Sequence, residues 1–295
     1  MNLFQQLALI GPTASGKSAL GIAYAQKHNC NILSLDSLAI YKEIDIVSAK
    51  PTPQERQEIK HFGIDLIYPD ECFDVTTFIE CYQEAKERSI LEQKGLVIVG
   101  GTSFYLKMLI EGISPLPTIS EETKEQTRAT LDKGYTILSD IDPTYMQQIK
   151  PNDRYRIEKM LNLYYETGLI PTEYFKQHPP IPTIQEPLPI YEIAIDREIL
   201  RSRIRQRTEK MILQGLIDEI FYLEKSYTRS PNAMRAIGIR ETLEYFDGIY
   251  TKEELKEKII INTARLAKRQ QTFNRSQFPQ RTSLSLEELE TLLLG

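Results

Sequence analysis

Short apolar runs dominate the first hundred residues, and longer stretches with apolar positions three and four apart dominate the rest of the chain. Leu7 to Ile10, Asn31 to Leu35 and Leu96 to Val99 have the length and character of strands covered on both faces. Helical spacing lies between them, over Ser18 to Lys27 and Val75 to Gln93. This alternation predicts a doubly wound parallel sheet, hence an α/β fold. After Gly112 the texture changes. Ser114-Pro115-Leu116-Pro117 breaks the pattern, a polar helical stretch begins near Ser120, and Asp142-Pro143 and Lys150-Pro151-Asn152-Asp153 punctuate further helices. A proline-rich linker runs from His178 to Pro189. Tyr191 to Ile195 then returns as a strand, with Asp196 expected to cap the next helix. From there to Phe278 the pattern is mostly helical, and Leu286 to Leu294 forms a short tail helix. The expected organisation is a core from residues 1–117 and 188–295, a helical insertion domain at 118–187 and a helical C-terminal region.

Composition narrows the class. With 41% hydrophobic and 26% charged residues in a chain of 295, a full core is within reach and disorder is not expected. A net charge of −5 excludes a uniformly basic nucleic-acid binder but not a basic patch. Cys30, Cys72 and Cys81 follow no metal or disulfide spacing, which fits a reducing compartment. His28, His61 and His178 show no ligand spacing either. The run from Met1 to Gly11 lacks a basic leader and reads as a strand rather than a signal peptide. No stretch approaches the length of a membrane helix. A cytoplasmic protein without membrane partners is expected.

Gly11-Pro12-Thr13-Ala14-Ser15-Gly16-Lys17-Ser18 satisfies G-x-x-x-x-G-K-[ST], between a strand ending at Ile10 and a helix starting at Gly16 or Lys17. Such a P-loop converges backbone N–H groups on a phosphate at a helix N-terminus. Lys17 adds a mobile charge, and the Ser18 hydroxyl can ligate Mg2+. The core is thus expected to be P-loop NTPase-like, binding a di- or triphosphate. Yet Leu96 to Val99 ends in Gly100-Gly101-Thr102, where a nucleotide hydrolase usually carries a metal-binding Asp. Those glycines are read as room for a second bulky substrate, with Thr102 offering a hydroxyl beside it. Asp36, after the second strand, falls at the same carboxyl edge of the sheet and is a candidate general base.

Cations crowd the helix after Asp196: Arg197, Arg201, Arg203, Arg205, Arg207 and Lys210. Arg203 and Arg207 share a face, and an Arg fork suits a departing diphosphate. Arg265-Leu266-Ala267-Lys268-Arg269-Gln270, followed by Phe273, Asn274 and Arg275, has the mix of a nucleic-acid face. In Arg235-Ala236-Ile237-Gly238-Ile239-Arg240, two cations flank a glycine that permits close approach.

Taken in order, these blocks resemble the tRNA dimethylallyltransferases. The loop at 11–18 is joined by Leu35-Asp36-Ser37 through Tyr41, Asp45-Ile46, Ala49-Lys50-Pro51, Val99-Gly100-Gly101-Thr102 with Tyr105-Leu106, and Gly112 with Ser114-Pro115-Leu116-Pro117. Pro151-Asn152-Asp153, Arg156, Ile237-Gly238 and Leu266-Ala267-Lys268-Arg269-Gln270 complete the series across nearly the whole chain. The family differs at Tyr155, Lys159 and Ile239, where Gln, Arg and Tyr are common, and at Val47-Ser48 within its Asp-Ile-Gly-Thr run.

The resemblance implies transfer of a dimethylallyl group from dimethylallyl diphosphate to the N6 amine of the adenine 3′ of the anticodon, in tRNAs reading codons that begin with U. It implies that Thr13 to Ser18 hold the diphosphate with Mg2+ at Ser18, that Asp36 accepts the amine proton, and that Arg207 contacts the diphosphate. Asp36, Ser37, Leu38, Ala39, Thr102, Lys124, Tyr155, Arg156, Ile157, Glu158, Lys159 and Arg235 to Arg240 correspond to positions contacting the anticodon stem-loop. The target adenine must be flipped out, and the insertion and basic segments are expected to grip the RNA and exclude water. A monomer is expected. The rivals are a P-loop small-molecule kinase, a prenyltransferase for free adenine nucleotides, and a non-catalytic RNA-binding module. The glycine strand end disfavours the first, the basic helical segments the first two, and the intact P-loop beside Asp36 the third.

Overall fold

A computed structural model of the chain describes residues 4–56 and 59–295. Residues 1–3, the start of the leading apolar run, lie outside the described residues. The chain divides into two compact units, one of the described residues up to Lys107 with Glu186–Gly295, the other Met108–Gln185.

The first unit is built on β1 (Gln6–Ile10), α1 (Lys17–Lys27), β2 (Cys30–Leu35), β3 (His61–Phe62), α2 (Val75–Leu91), β4 (Gly95–Gly100) and α3 (Ser103–Glu111), within which the chain divides. The second unit holds α4 (Glu121–Thr130), α5 (Gly134–Ile141), α6 (Pro143–Met146), α7 (Arg154–Thr167) and α8 (Pro171–Gln177). The first unit resumes with β5 (Ile190–Ile193), α9 (Arg197–Leu213), α10 (Leu216–Tyr227), α11 (Ile239–Phe246), α12 (Lys252–Gln277), β6 (Thr282–Leu284) and α13 (Leu286–Leu294).

The described strands form one six-stranded sheet in the order β3-β2-β4-β1-β5-β6, every neighbouring pair parallel. Four strands fall where the apolar runs place them. β3 and β6, of two and three residues, are too short to carry a periodic signal. The sheet is hydrophobic on both faces because both are covered. Leu7, Leu9, Ile32, Val97 and Val99 pack with Leu20 and Ala25 of α1 and Leu289 and Leu293 of α13. The alternate residues Ala8, Ile10, Leu33, Leu35 and Ile98 point to the other face, where α2 brings Phe78, Tyr82 and Ala85. Each fully buried Leu, Ile or Phe contributes about 1.5–3 kcal/mol.

A second core gathers α9, α10, α11 and α12 around the segment after β2. Met211, Leu216, Ile220, Leu223, Ile239, Leu243, Leu255 and Ile259 enclose Ile40, Tyr41, Ile44 and Val47. This cluster fixes the chain that leaves Asp36. A smaller one sets Leu200 and Ile204 of α9 and Ile260 and Ala267 of α12 against Ala14 of the glycine-rich loop.

The second unit is helical around Leu138, Met146, Ile149, Ile157, Met160 and Leu161. Its helices start at the polar punctuation. Ser120 caps α4, Asp153 caps α7, and Asp142 caps α6 while accepting both the amide and the hydroxyl of Thr172. The segment 178–185 returns alongside the unit's start, with an antiparallel bridge between Ile113 and Ile181 and two amides donated to the Leu109 carbonyl.

Candidate active site

The glycine-rich loop follows β1 and turns back on itself where the Ser15 amide donates to the Pro12 carbonyl at 3.2 Å. Ala14 (φ 68°) and Gly16 (φ 102°) are left-handed, and α1 starts at the next residue, Lys17. Mixed handedness turns successive amides inward to form an anion nest. At Ala14 this costs about 1–2 kcal/mol, the penalty of a left-handed residue that has a Cβ. Among the described residues, the amides of Ala14, Gly16, Lys17 and Ser18 donate to no other group, so a bound anion would find four donors.

Two side chains from distant helices hold this loop. Oε1 of Gln270 on α12 accepts the Thr13 amide at 2.9 Å, and Arg203 of α9 donates to the Ser15 carbonyl at 3.0 Å. Its basic neighbours in the sequence group Gln270 with a nucleic-acid face. Its own direction is inward, as is that of Ala267, which is fully buried.

Lys17, Asp36 and Arg207 interact electrostatically in one place. The Lys17 ammonium, 3.2 Å from the Pro12 carbonyl, is pulled down to about 8 by burial, with Asp36 opposing the shift and Arg207 adding to it. Burial also works against the charge of Arg207, and Asp36 supports it. Arg207 donates to the Ser48 carbonyl at 3.2 Å, its one hydrogen bond among the described residues. Asp36 leaves β2 with Oδ1 accepting the amides of Leu38 (2.8 Å) and Ala39 (3.2 Å). Its Oδ2 has no hydrogen-bond partner among the described residues. A local turn thus fixes one oxygen and leaves the other for a ligand.

Thr102 follows β4 with its amide bonded to the Leu35 carbonyl at 2.9 Å, so its backbone is tied directly to the strand that carries Asp36. Tyr105, one turn on, stacks on Phe78 with ring centroids 4.8 Å apart. Burial pushes its phenol up to about 12, with Tyr41, Asp74 and Asp36 adding to the shift, so it remains a neutral donor.

At Gly100 and Gly101 the missing side chain already has a use within the protein. A Cβ at Gly100 would lie 2.3 Å from the Leu35 carbonyl oxygen, and one at Gly101 would lie 2.5 Å from Gln270 Nε2. The glycines make room for the protein's own chain. Gly238 is similar. A Cβ there would fall 2.5 Å from Val47, and its amide is bonded to Glu241 at 2.7 Å.

The remaining candidates separate by exposure. Arg235 and Arg240 are exposed, Arg240 pairing with the buried Glu241, whereas Ile239 is fully buried. Ser37 is exposed, Leu38 half-buried and Ala39 buried. In the second unit, Tyr155, Arg156, Glu158 and Lys159 are exposed on the first turns of α7. Ile157 belongs to that unit's core, and Lys124 pairs with Glu121 at 2.5 Å.

Two cavities meet at Arg207 and Lys210, and the first adjoins the loop. One of about 420 Å³ is lined by Ala14, Gly16, Lys17 and Ser18 with Arg203, Gln206, Arg207 and Lys210. Another of about 820 Å³ lies against Ile46, Lys50, Pro51 and Met211, and shares Arg207 and Lys210 with the first. The sequence gives Lys210 no role beyond its place among the helix's cations, because only the fold turns it toward these cavities.

A profile of the family described as IPP transferase matches residues 39–277 of this chain. The tRNA dimethylallyltransferase of Sulfurovum sp. is 63% identical over 293 residues, covering 98% of this chain and 97% of its own length. That of Nautilia profundicola is 54% identical over 289 residues, 98% of either chain. Among solved structures, a eukaryotic dimethylallyltransferase acting on tRNA has a TM-score of 0.84 at 26% identity, covering 97% of this chain and 76% of that one.

Proposed function

The chain belongs to the IPP transferase family, that of the tRNA dimethylallyltransferases, and from this premise we propose that Asp36, Lys17 and Arg207 carry out its reaction. The enzyme moves a dimethylallyl group to tRNA. The donor is dimethylallyl diphosphate, and the acceptor is the N6 amine of the adenine 3′ of the anticodon in tRNAs reading codons that begin with U.

An adenine amine is a weak nucleophile, because its lone pair is delocalised into the ring. The allylic carbon compensates, since it carries positive charge well as its C–O bond breaks. The amine nitrogen forms the new C–N bond, and diphosphate leaves with the C–O electron pair. The negative charge that develops there meets the loop amides, Lys17 and Arg207, an environment fixed before the reaction. At the other end the amine becomes cationic and loses its proton to the free Oδ2 of Asp36.

The donor set fits Mg2+ as a hard cation that arrives with its substrate. Among the described residues no three His, Cys, Asp or Glu side chains gather into a ligand cluster. The exposed Ser18 hydroxyl would be its protein ligand, and diphosphate and water would supply the other oxygens. When bound, it adds positive charge at the leaving group.

Exposed cations and the aromatic of α7, with Arg235 and Arg240, are the groups for RNA. The enzyme works as a monomer in the cytoplasm. No helix among the described residues is long and apolar enough to cross a membrane.

The observation that carries this reading is that Lys17 and Arg207, each with its charge supported by Asp36, line one cavity beside an open anion nest. It is tested by incubating an anticodon stem-loop with dimethylallyl diphosphate and Mg2+ and analysing the nucleosides by mass. One dimethylallyl group on the adenine is expected. Transfer to free AMP but not to RNA, or tight ATP binding without transfer, would overturn it in favour of a rival.

A further inference from the structure

Glu219, on α10, holds the backbone turn that Arg207 contacts. Its Oε1 accepts the amides of Asp45 (2.6 Å) and Ile46 (2.7 Å), and its Oε2 accepts that of Val47 (2.9 Å). Three consecutive N–H groups converging on one carboxylate form a nest filled by the protein's own anion. The segment they belong to is not part of any strand or helix, so these bonds, a few local ones and the packing of Ile44 and Val47 in the second core define its shape. The local ones are Ala49 N–H to the Ile46 carbonyl (3.0 Å) and the Ser48 hydroxyl to the Ile44 carbonyl (2.6 Å). Ala49 is left-handed at φ 49°, a conformation that needs such support.

The product of this construction is the position of one atom, the Ser48 carbonyl oxygen. It accepts from Arg207 at 3.2 Å, and no carboxylate pairs with that guanidinium among the described residues. A side chain as long as arginine must be held if its fork is to meet a diphosphate in one geometry. The acceptor that holds it is itself held by Glu219.

We propose that Glu219 is a positioning residue for Arg207, fixing the turn at 45–49 so that the Ser48 carbonyl aims the guanidinium at the leaving diphosphate. The inference rests on the reading of Arg207 as the diphosphate contact.

The test is a double-mutant cycle in the full-length enzyme, with kcat and KM measured separately for dimethylallyl diphosphate and for an anticodon stem-loop. Glu219→Gln puts an amide NH2 where at least one backbone N–H now donates. It is expected to lower kcat/KM for the diphosphate about tenfold, with KM for the RNA changed less than about twofold. In an Arg207→Ala background the same substitution should cost less than about twofold, because the group it positions is gone. Equal penalties in both backgrounds, or an equal rise in KM for RNA, would overturn the inference and leave Arg207 in its role. An Arg207→Ala enzyme with parental kinetics would overturn the reading of the site itself. Should Glu219→Gln fail to fold, Glu219→Asp, which keeps the charge one methylene short of the amides, runs through the same cycle with the same expectations.

Discussion

Lys17 is protonated at neutral pH against the preference of its surroundings. A shift from 10.5 to about 8 means that burying the ammonium costs the fold about 3 kcal/mol at pH 7. The proposed function accounts for that cost, since Asp36 compensates the charge only in part and a bound diphosphate would supply the rest. The sign of the shift has two consequences. The protonated form is lost as pH rises through about 8, so kcat/KM for dimethylallyl diphosphate should fall above that pH in a pH–rate profile. Between about 8 and 10.5 the unfolded chain binds the proton that the folded one has released, so this group makes stability rise with pH there. Lys17→Met should therefore abolish transfer yet raise Tm at pH 7, with the difference shrinking as pH is raised through that window. Asp36 presents the opposite case, a carboxylate half satisfied by its own turn. Asp36→Ala should remove transfer while an anticodon stem-loop still binds in a filter assay. Retained turnover would show that another group takes the amine proton.

Among the elements, α9 and α12 have a part that their basic character hides. Each turns one side chain into the glycine-rich loop, Arg203 onto the Ser15 carbonyl and Gln270 onto the Thr13 amide. Because a backbone N–H can only donate, Gln270 must present its oxygen there and its NH2 toward Gly101. One amide thereby binds the loop after β1 and packs against the residue that follows β4. Gln270→Ala should free the Thr13 amide, seen as faster hydrogen exchange at that residue. It should also raise KM for dimethylallyl diphosphate by roughly fivefold to tenfold, the loss of about one buried hydrogen bond. An unchanged KM would mean that the loop keeps its shape without the clamp. The sequence offers this residue only as a member of a charged run. On a helix, inward and outward positions alternate every three or four residues, and which face is inward depends on the packing partner.

At the scale of the molecule, the cations of α7 proposed to meet RNA and those proposed to meet diphosphate belong to different compact units. Lys17, Arg203 and Arg207 surround the loop, while Arg156 and Lys159 stand exposed on a different compact unit. Replacing both Arg156 and Lys159 by Ala should raise KM for tRNA and flatten its salt dependence by about one charge for each phosphate left without its cation. KM for dimethylallyl diphosphate should stay constant. A parallel change in both constants would place these residues in catalysis instead.

Local chemistry determined much of this protein from the sequence alone. The glycine-rich loop, the four longer strands, the caps at Ser120, Asp142, Asp153 and Asp196, and the tail helix at Leu286 to Leu294 all depend on neighbours within a few residues. The position of Asp36 just beyond β2 was legible because parallel strands present their carboxyl ends along one edge. Tertiary structure decided what depends on contacts distant along the chain. It assigned Gly100, Gly101 and Gly238 to close packing of the chain on itself, turned Gln270 inward, and set Glu219 beneath the turn that holds Arg207. It also set the charge balance at Lys17, since desolvation is a property of the packed cavity and not of any residue in it.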